Sequence, residues 1–159
     1  MIFIALGTQG RDFSRCLKVF DELIIRCNIT EDVIVQAGNT KYESQRMKIV
    51  KFLKEEEFQE YVKNARIVIS HAGSGALFSA IKRGKKTIAV ARLSKFGEMI
   101  DDHQTELCKK LSEEGYLIDG TFDMFKAWEQ IQDFVPRKND FKCDLPNKIK
   151  KVIDFYLSE

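Results

Sequence analysis

Apolar positions along this chain follow two rhythms. Continuous runs within residues 2–6, 32–37, 65–70 and 86–91, typified by Ile2-Phe3-Ile4-Ala5-Leu6 and Ile67-Val68-Ile69, read as strands buried on both faces. Residues 47–52 alternate and read as a further strand, and Tyr116-Leu117-Ile118 as a last short one. Between the runs, apolar residues recur three and four apart. Phe13, Leu17, Phe20, Leu23 and Ile24 mark the first helix, Phe58, Tyr61 and Val62 a second over 55–64, and Leu77, Phe78 and Ile81 a third stopped by Gly84. Leu107, Cys108 and Leu111 place another over 101–114, closed by Gly115, and 122–134 is the next.

A polar connector over 136–144 leads to a terminal helix over 146–157, where Ile149, Val152, Ile153, Tyr156 and Leu157 form one apolar stripe. Strands alternating with helices predict a doubly wound, Rossmann-like α/β domain with a parallel sheet, and the whole of 1–159 reads as one domain. In such sheets ligands lie beyond the carboxyl ends of the strands.

Composition narrows the function classes. A chain of 159 residues buries roughly 70% of its unfolded surface and needs no disulfide staples. With 44% hydrophobic and 31% charged residues it is globular, which excludes disordered and collagenous classes. A net charge of +2 removes bulk attraction to nucleic acid, so any phosphate must be held by local arrangement. Cys16, Cys27, Cys108 and Cys143 are widely spaced and read as reduced, with no metal site. No apolar run is long enough to span a bilayer, and residues 2–6 are too short for a signal-peptide core, so a cytoplasmic protein is expected.

Two loops carry candidate chemistry at the same sheet edge. Residues 71–75, His71-Ala72-Gly73-Ser74-Gly75, follow a strand and open a helix. The glycines let a ligand approach the backbone, with a positive φ expected at Gly73 and Ser74 as a cap, and the helix N-terminus favours a diphosphate. Phe78 stands where a dinucleotide fingerprint has its third glycine, and Ser79 where a Walker loop before Gly84-Lys85 has its first. Gly7, Thr8 and Gln9 follow the first strand and open onto the same crevice. A third group, Arg92, Glu98, Asp102, His103 and Gln104, lies between a strand and a helix. Asp101 or Asp102 caps that helix, while the carboxylate, imidazole and amide suit a sugar, which is bound by directional hydrogen bonds.

These motifs in this order resemble the C-terminal domain of family 28 glycosyltransferases: Ile67 to Gly75, Gly84-Lys85-Lys86 before Ile88 to Arg92, Phe96-Gly97-Glu98, and Asp101-Asp102-His103-Gln104. Nearer still are short bacterial exopolysaccharide and capsule proteins, including β-1,4-galactosyltransferase subunits, that are similar to the small subunit of the eukaryotic two-part UDP-GlcNAc transferase. The resemblance implies the single C-terminal, donor-binding half of a GT-B enzyme. Its acceptor half would be a separate membrane-anchored subunit at the inner face of the plasma membrane, holding a lipid-diphosphate-linked saccharide.

The implied reaction is inverting transfer of a hexose, galactose first, from a UDP-sugar, with no metal. The resemblance implies that Gly7, Thr8, Gln9, Gly73, Ser74 and Gly75 hold the diphosphate and that His103 and Gln104 contact the sugar; the residues themselves add Arg92 for the diphosphate, Glu98 for the sugar and Asp102 as a further substrate contact. His71 or Glu98 is the base, or the partner supplies it. Two positions depart from the pattern: Ser79 replaces an acidic ribose ligand, where its hydroxyl is still expected to donate one hydrogen bond to the substrate, and Met99 stands where close relatives carry histidine. Those departures fit an alternative, a non-catalytic UDP-sugar-binding subunit that activates a partner. A sugar-nucleotide epimerase is a third class, which needs a second domain.

Overall fold

Each apolar run becomes a strand in a computed structural model of the protein, which describes residues 1–138. The strands are β1 (Ile2–Ala5), β2 (Val33–Gln36), β3 (Lys48–Val50), β4 (Ile67–Ser70), β5 (Lys86–Ala89) and β6 (Ile118–Asp119). The helices are α1 (Ser14–Arg26), α2 (Glu55–Asn64), α3 (Ser74–Lys82), α4 (His103–Glu113) and α5 (Met124–Asp133). The terminal helix expected over 146–157, Cys143 and all of the connector beyond 138 lie outside the described residues.

All pairings are parallel and the order is β3-β2-β1-β4-β5-β6, the doubly wound arrangement expected. Alternation along β1 builds both layers. Ile2 and Ile4 pack with Leu17 and Phe20 of α1 and Trp128 and Ile131 of α5, while Phe3 and Ala5 face Val62 of α2 and Ala80 of α3. Phe3 is clasped edge-on by Phe58 and stacked by Tyr61, at 5.3 and 5.5 Å between centroids. On that same face Ala89 and Ala91 pack with Leu77, Leu107 and Leu111, which brings α4 alongside α3.

Several boundaries differ from expectation for local reasons. The first helix begins at Ser14 because Asp12 accepts its N–H and hydroxyl at 3.2 and 2.7 Å. Strand β5 ends at Ala89, and a 3₁₀ turn, Ser94–Phe96, follows. Helix α4 starts at His103, where Asp101 accepts the backbone N–H at 3.1 Å; the Asp102 carboxylate is turned away to the Ser94 N–H, at 2.7 Å. Strand β6 starts at Ile118 because the Tyr116 N–H still closes the end of α4 on Leu111 O. Among the described residues Cys16, Cys27 and Cys108 are free thiols, and burial pushes that of Cys16 up to about 12. No described helix is long and apolar enough to cross a membrane.

Candidate functional site

Strands β1 and β4 are neighbours whose connections leave toward opposite edges of the sheet, which makes their carboxyl ends the switch point of the fold. Their register pairs Ala5 with Ser70, so the loops at Gly7 and His71 emerge side by side. His71 is the wedge between them. Its backbone N–H and ring Nδ1 both lie on Ala5 O, at 3.1 and 3.0 Å, and a Cβ on either Gly7 or Gly73 would overlap the imidazole. Gly7 has φ +76 and is pinned from its other side, since a Cβ on Gly38 would overlap Gly7 O. Asn39 donates its amide to Thr8 O and Gln9 O, each at 3.3 Å, and so holds the loop open.

The turn into α3 differs from expectation in two respects. The left-handed residue is the buried Ala72, φ +62, while Gly73 is extended at φ −74. A left-handed alanine is strained backbone, tolerated where its surroundings over-determine it. Glycine is required at 73 because His71 leaves no room for a Cβ. Ser74 is the first helical residue and caps nothing, so no side chain caps α3. The first-turn N–H groups face the crevice with the helix dipole behind them. Gly75 has open space where a Cβ would lie.

These loops frame a cavity of about 490 Å³. Gly7, Thr8, Gln9, His71, Gly73, Ser74, Gly75 and Gln104 all line it, so most of the residues singled out from the sequence meet at one place. Gln104 is buried and oriented, its Oε1 accepting the Arg92 N–H at 3.0 Å, which leaves its amide N–H₂ as donor. The opposite wall comes from Gln36, Leu53, Glu55, Phe58 and Gln59, which sequence reasoning missed. Helical spacing turns Phe58 inward; nothing local marks the polar residues of α2 as facing a ligand.

Five expected site residues do not line the cavity. Arg92 is 1% exposed and reaches beneath the first loop, donating to Leu6 O at 2.8 Å and lying over the Phe13 ring. Glu98 is buried with both carboxylate oxygens engaged: Arg15 grips it at 2.8 and 2.9 Å, and Leu93 N–H donates to Oε2 at 2.9 Å. It locks α1 to the chain after β5. Asp102 pins the 3₁₀ turn, and the Ser94 N–H holds its carboxyl below the ordinary range. His103 has a half-exposed side chain whose Nδ1 lies 3.1 Å from Asp101. Ser79 is buried behind Gln59, to which its hydroxyl donates at 2.8 Å. His71 does reach the cavity, and burial above all holds its pKa down at about 4.

Comparison with known proteins gives this arrangement a context. The family model described as the glycosyltransferase family 28 C-terminal domain matches residues 1–151. The human UDP-N-acetylglucosamine transferase subunit ALG13 is 26% identical over 123 residues, which is 73% of this chain and 10% of that protein. The mouse protein of the same name is 25% identical over 131 residues, again 10% of its length. The chain therefore spans about a tenth of these curated relatives. Among solved structures, the solution structure of ALG13 aligns over 96% of this chain and 94% of its own, with TM-score 0.62 and 18% identity. The Streptomyces sp. SF2575 glycosyltransferase SsfS6, complexed with thymidine diphosphate, aligns over 99% of this chain and 37% of its own, with TM-score 0.58 and 11% identity. At those identities the likeness is one of fold, that of the C-terminal half of GT-B glycosyltransferases.

Proposed function

The chain belongs to the glycosyltransferase family 28 C-terminal domain family, and from that premise we propose that it is the donor-binding subunit of an inverting transferase that moves a hexose from a UDP-sugar. The observation that carries this reading is the convergence of two glycine loops and the uncapped first turn of α3 on one cavity at the switch point. A diphosphate lies against the N–H groups of that turn, with the Thr8 and Ser74 hydroxyls beside it. The free amide of Gln104 donates to a hexose hydroxyl, and His103, the preceding residue of α4, is the second sugar ligand. Arg92, committed to Leu6 O, acts through the shape of the first loop rather than by touching phosphate. The names of the human and mouse relatives, a UDP-N-acetylglucosamine transferase subunit, support a UDP-sugar donor and a multi-subunit enzyme.

In the reaction the acceptor oxygen bonds to C1 on the face opposite the diphosphate. The bond from C1 to the phosphate oxygen breaks, its electron pair leaves with UDP, and the acceptor proton passes to a base. The α3 amides and dipole take up charge on the leaving diphosphate, so no metal is assigned. His71 stands between the diphosphate loops, on the leaving-group side, and Glu98 is engaged by Arg15. The base therefore comes from a partner, a membrane-anchored subunit at the inner face of the plasma membrane that carries a lipid-diphosphate-linked saccharide in exopolysaccharide or capsule synthesis. Galactose is the first donor to test.

The engagement of Glu98 also favours a second reading, a UDP-sugar-binding subunit that only activates its partner. Pairing the two subunits and following transfer from UDP-galactose and UDP-GlcNAc separates them. If transfer persists when a Gly75→Val chain no longer binds UDP, the donor resides in the partner and the first reading is wrong.

A further inference from the structure

Behind the cavity wall runs a chain of hydrogen bonds whose direction is fixed at every link. Arg83 Nη1 donates to Ser79 Oγ at 3.0 Å, and the Ser79 hydroxyl donates to Gln59 Oε1 at 2.8 Å. Gln59 Nε2 donates to Glu55 Oε1 at 2.6 Å. A guanidinium can only donate and a carboxylate can only accept. The Ser79 proton must therefore point to Gln59, and the Gln59 amide has one possible orientation: carbonyl toward Ser79, N–H₂ toward Glu55. Gln59 and Glu55 both line the cavity. One amide proton of Gln59 and the Oε2 of Glu55 are left for a ligand.

Such a pair, one donor and one anionic acceptor side by side, matches a vicinal diol, in which one hydroxyl donates to the carboxylate while its neighbour accepts from the amide. The position of the pair selects which diol. Gln104 of α4 closes the cavity on the far side of α3, whereas the pair sits on α2 beside the partly buried Leu53 and Phe58. A nucleotide sugar with its diphosphate at the start of α3 would direct its hexose to Gln104 and its nucleoside, with an apolar base face, to α2.

We propose that Glu55 and Gln59 form a ribose clamp, with Ser79 and Arg83 as positioning residues that hold Gln59 in its single orientation. This rests on the nucleotide-binding reading above. The test is calorimetric binding of UDP, 2′,3′-dideoxy-UDP and UDP-galactose to the wild type, Glu55→Gln and Ser79→Ala. Wild type should prefer UDP to the dideoxy analogue by about tenfold or more. Glu55→Gln should collapse that preference toward unity by weakening UDP alone, and Ser79→Ala should reduce it while dideoxy-UDP affinity holds, which a general loosening of the fold would not do. Glu55 is exposed in the first turn of α2, so its variant will fold. Equal losses for UDP and the dideoxy analogue, or no change in either, overturn the clamp while leaving nucleotide binding intact. A loss in Glu55→Gln confined to UDP-galactose assigns the diol to the hexose and overturns it too. Failure of the wild type to bind any of the three removes the nucleotide reading itself and the clamp with it.

Discussion

The Nδ1 atom of His71 lies 3.0 Å from the carbonyl oxygen of Ala5, while the far edge of the same ring fills the space between Gly7 and Gly73. A carbonyl only accepts, so Nδ1 carries the proton and Nε2 its lone pair. The ring spaces the two loops as a neutral group, and burial keeps it so down to about pH 4.

That depressed pKa links stability to pH. In the unfolded chain the imidazole titrates near 6.5 and in the folded protein near 4, so between those values only the unfolded state takes up the proton. Its contribution is fully present above 6.5 and falls away as pH drops through the window, by about 3 kcal/mol in all. Urea unfolding at pH 7 and pH 4.5 should show a smaller difference in His71→Asn, which keeps a donor for Ala5 O without titrating. An identical difference in both proteins would assign the acid sensitivity to other groups.

The two glycines of the 71–75 loop should respond in opposite ways. Gly73→Ala drives a Cβ into the His71 ring and should lower both stability and UDP affinity. Gly75→Ala meets nothing and lies within a helix, so its midpoint should hold or rise, by about 0.5–1 kcal/mol of stability, while UDP affinity falls because the added methyl enters the ligand's space. A thermal scan with and without UDP reads both. Undiminished affinity in Gly75→Ala places the ligand elsewhere.

Glu98 is predicted to matter for folding and not for nucleotide binding. Breaking a buried ion pair from one side costs about 3–5 kcal/mol, and Arg15 is itself partly exposed, so about 3 kcal/mol is expected for Glu98→Ala. UDP affinity, measured on the folded fraction, should be unchanged. A stable Glu98→Ala protein whose paired enzyme is inactive would make Glu98 the base after all.

How far the sequence carried this reading follows from the range of the interactions involved. Helix α2 was legible to its ends because Phe58, Tyr61 and Val62 repeat at helical spacing between polar residues. The glycine loops were legible because each follows an apolar run directly. The partnership of Arg15 with Glu98, 83 positions apart, and the turn of Arg92 toward Leu6, 86 positions away, leave no local trace, and a charged side chain at a strand end looks the same whether it faces a ligand or a carbonyl. Ser79 was singled out, but as a ligand contact; only the fold reveals Gln59 standing in front of it.

A nucleoside diphosphate bound at the β1–β4 switch point should be visible on titration of UDP into the isotopically labelled protein. Backbone amide shifts should be largest at Gly7, Thr8 and Gln9 and at Ser74, Gly75 and Ala76, with smaller changes at Gln59 and Gln104. Shifts centred instead on the larger depression of about 1060 Å³ along Thr40, Lys41 and Tyr42, with the two glycine loops unmoved, would contradict it.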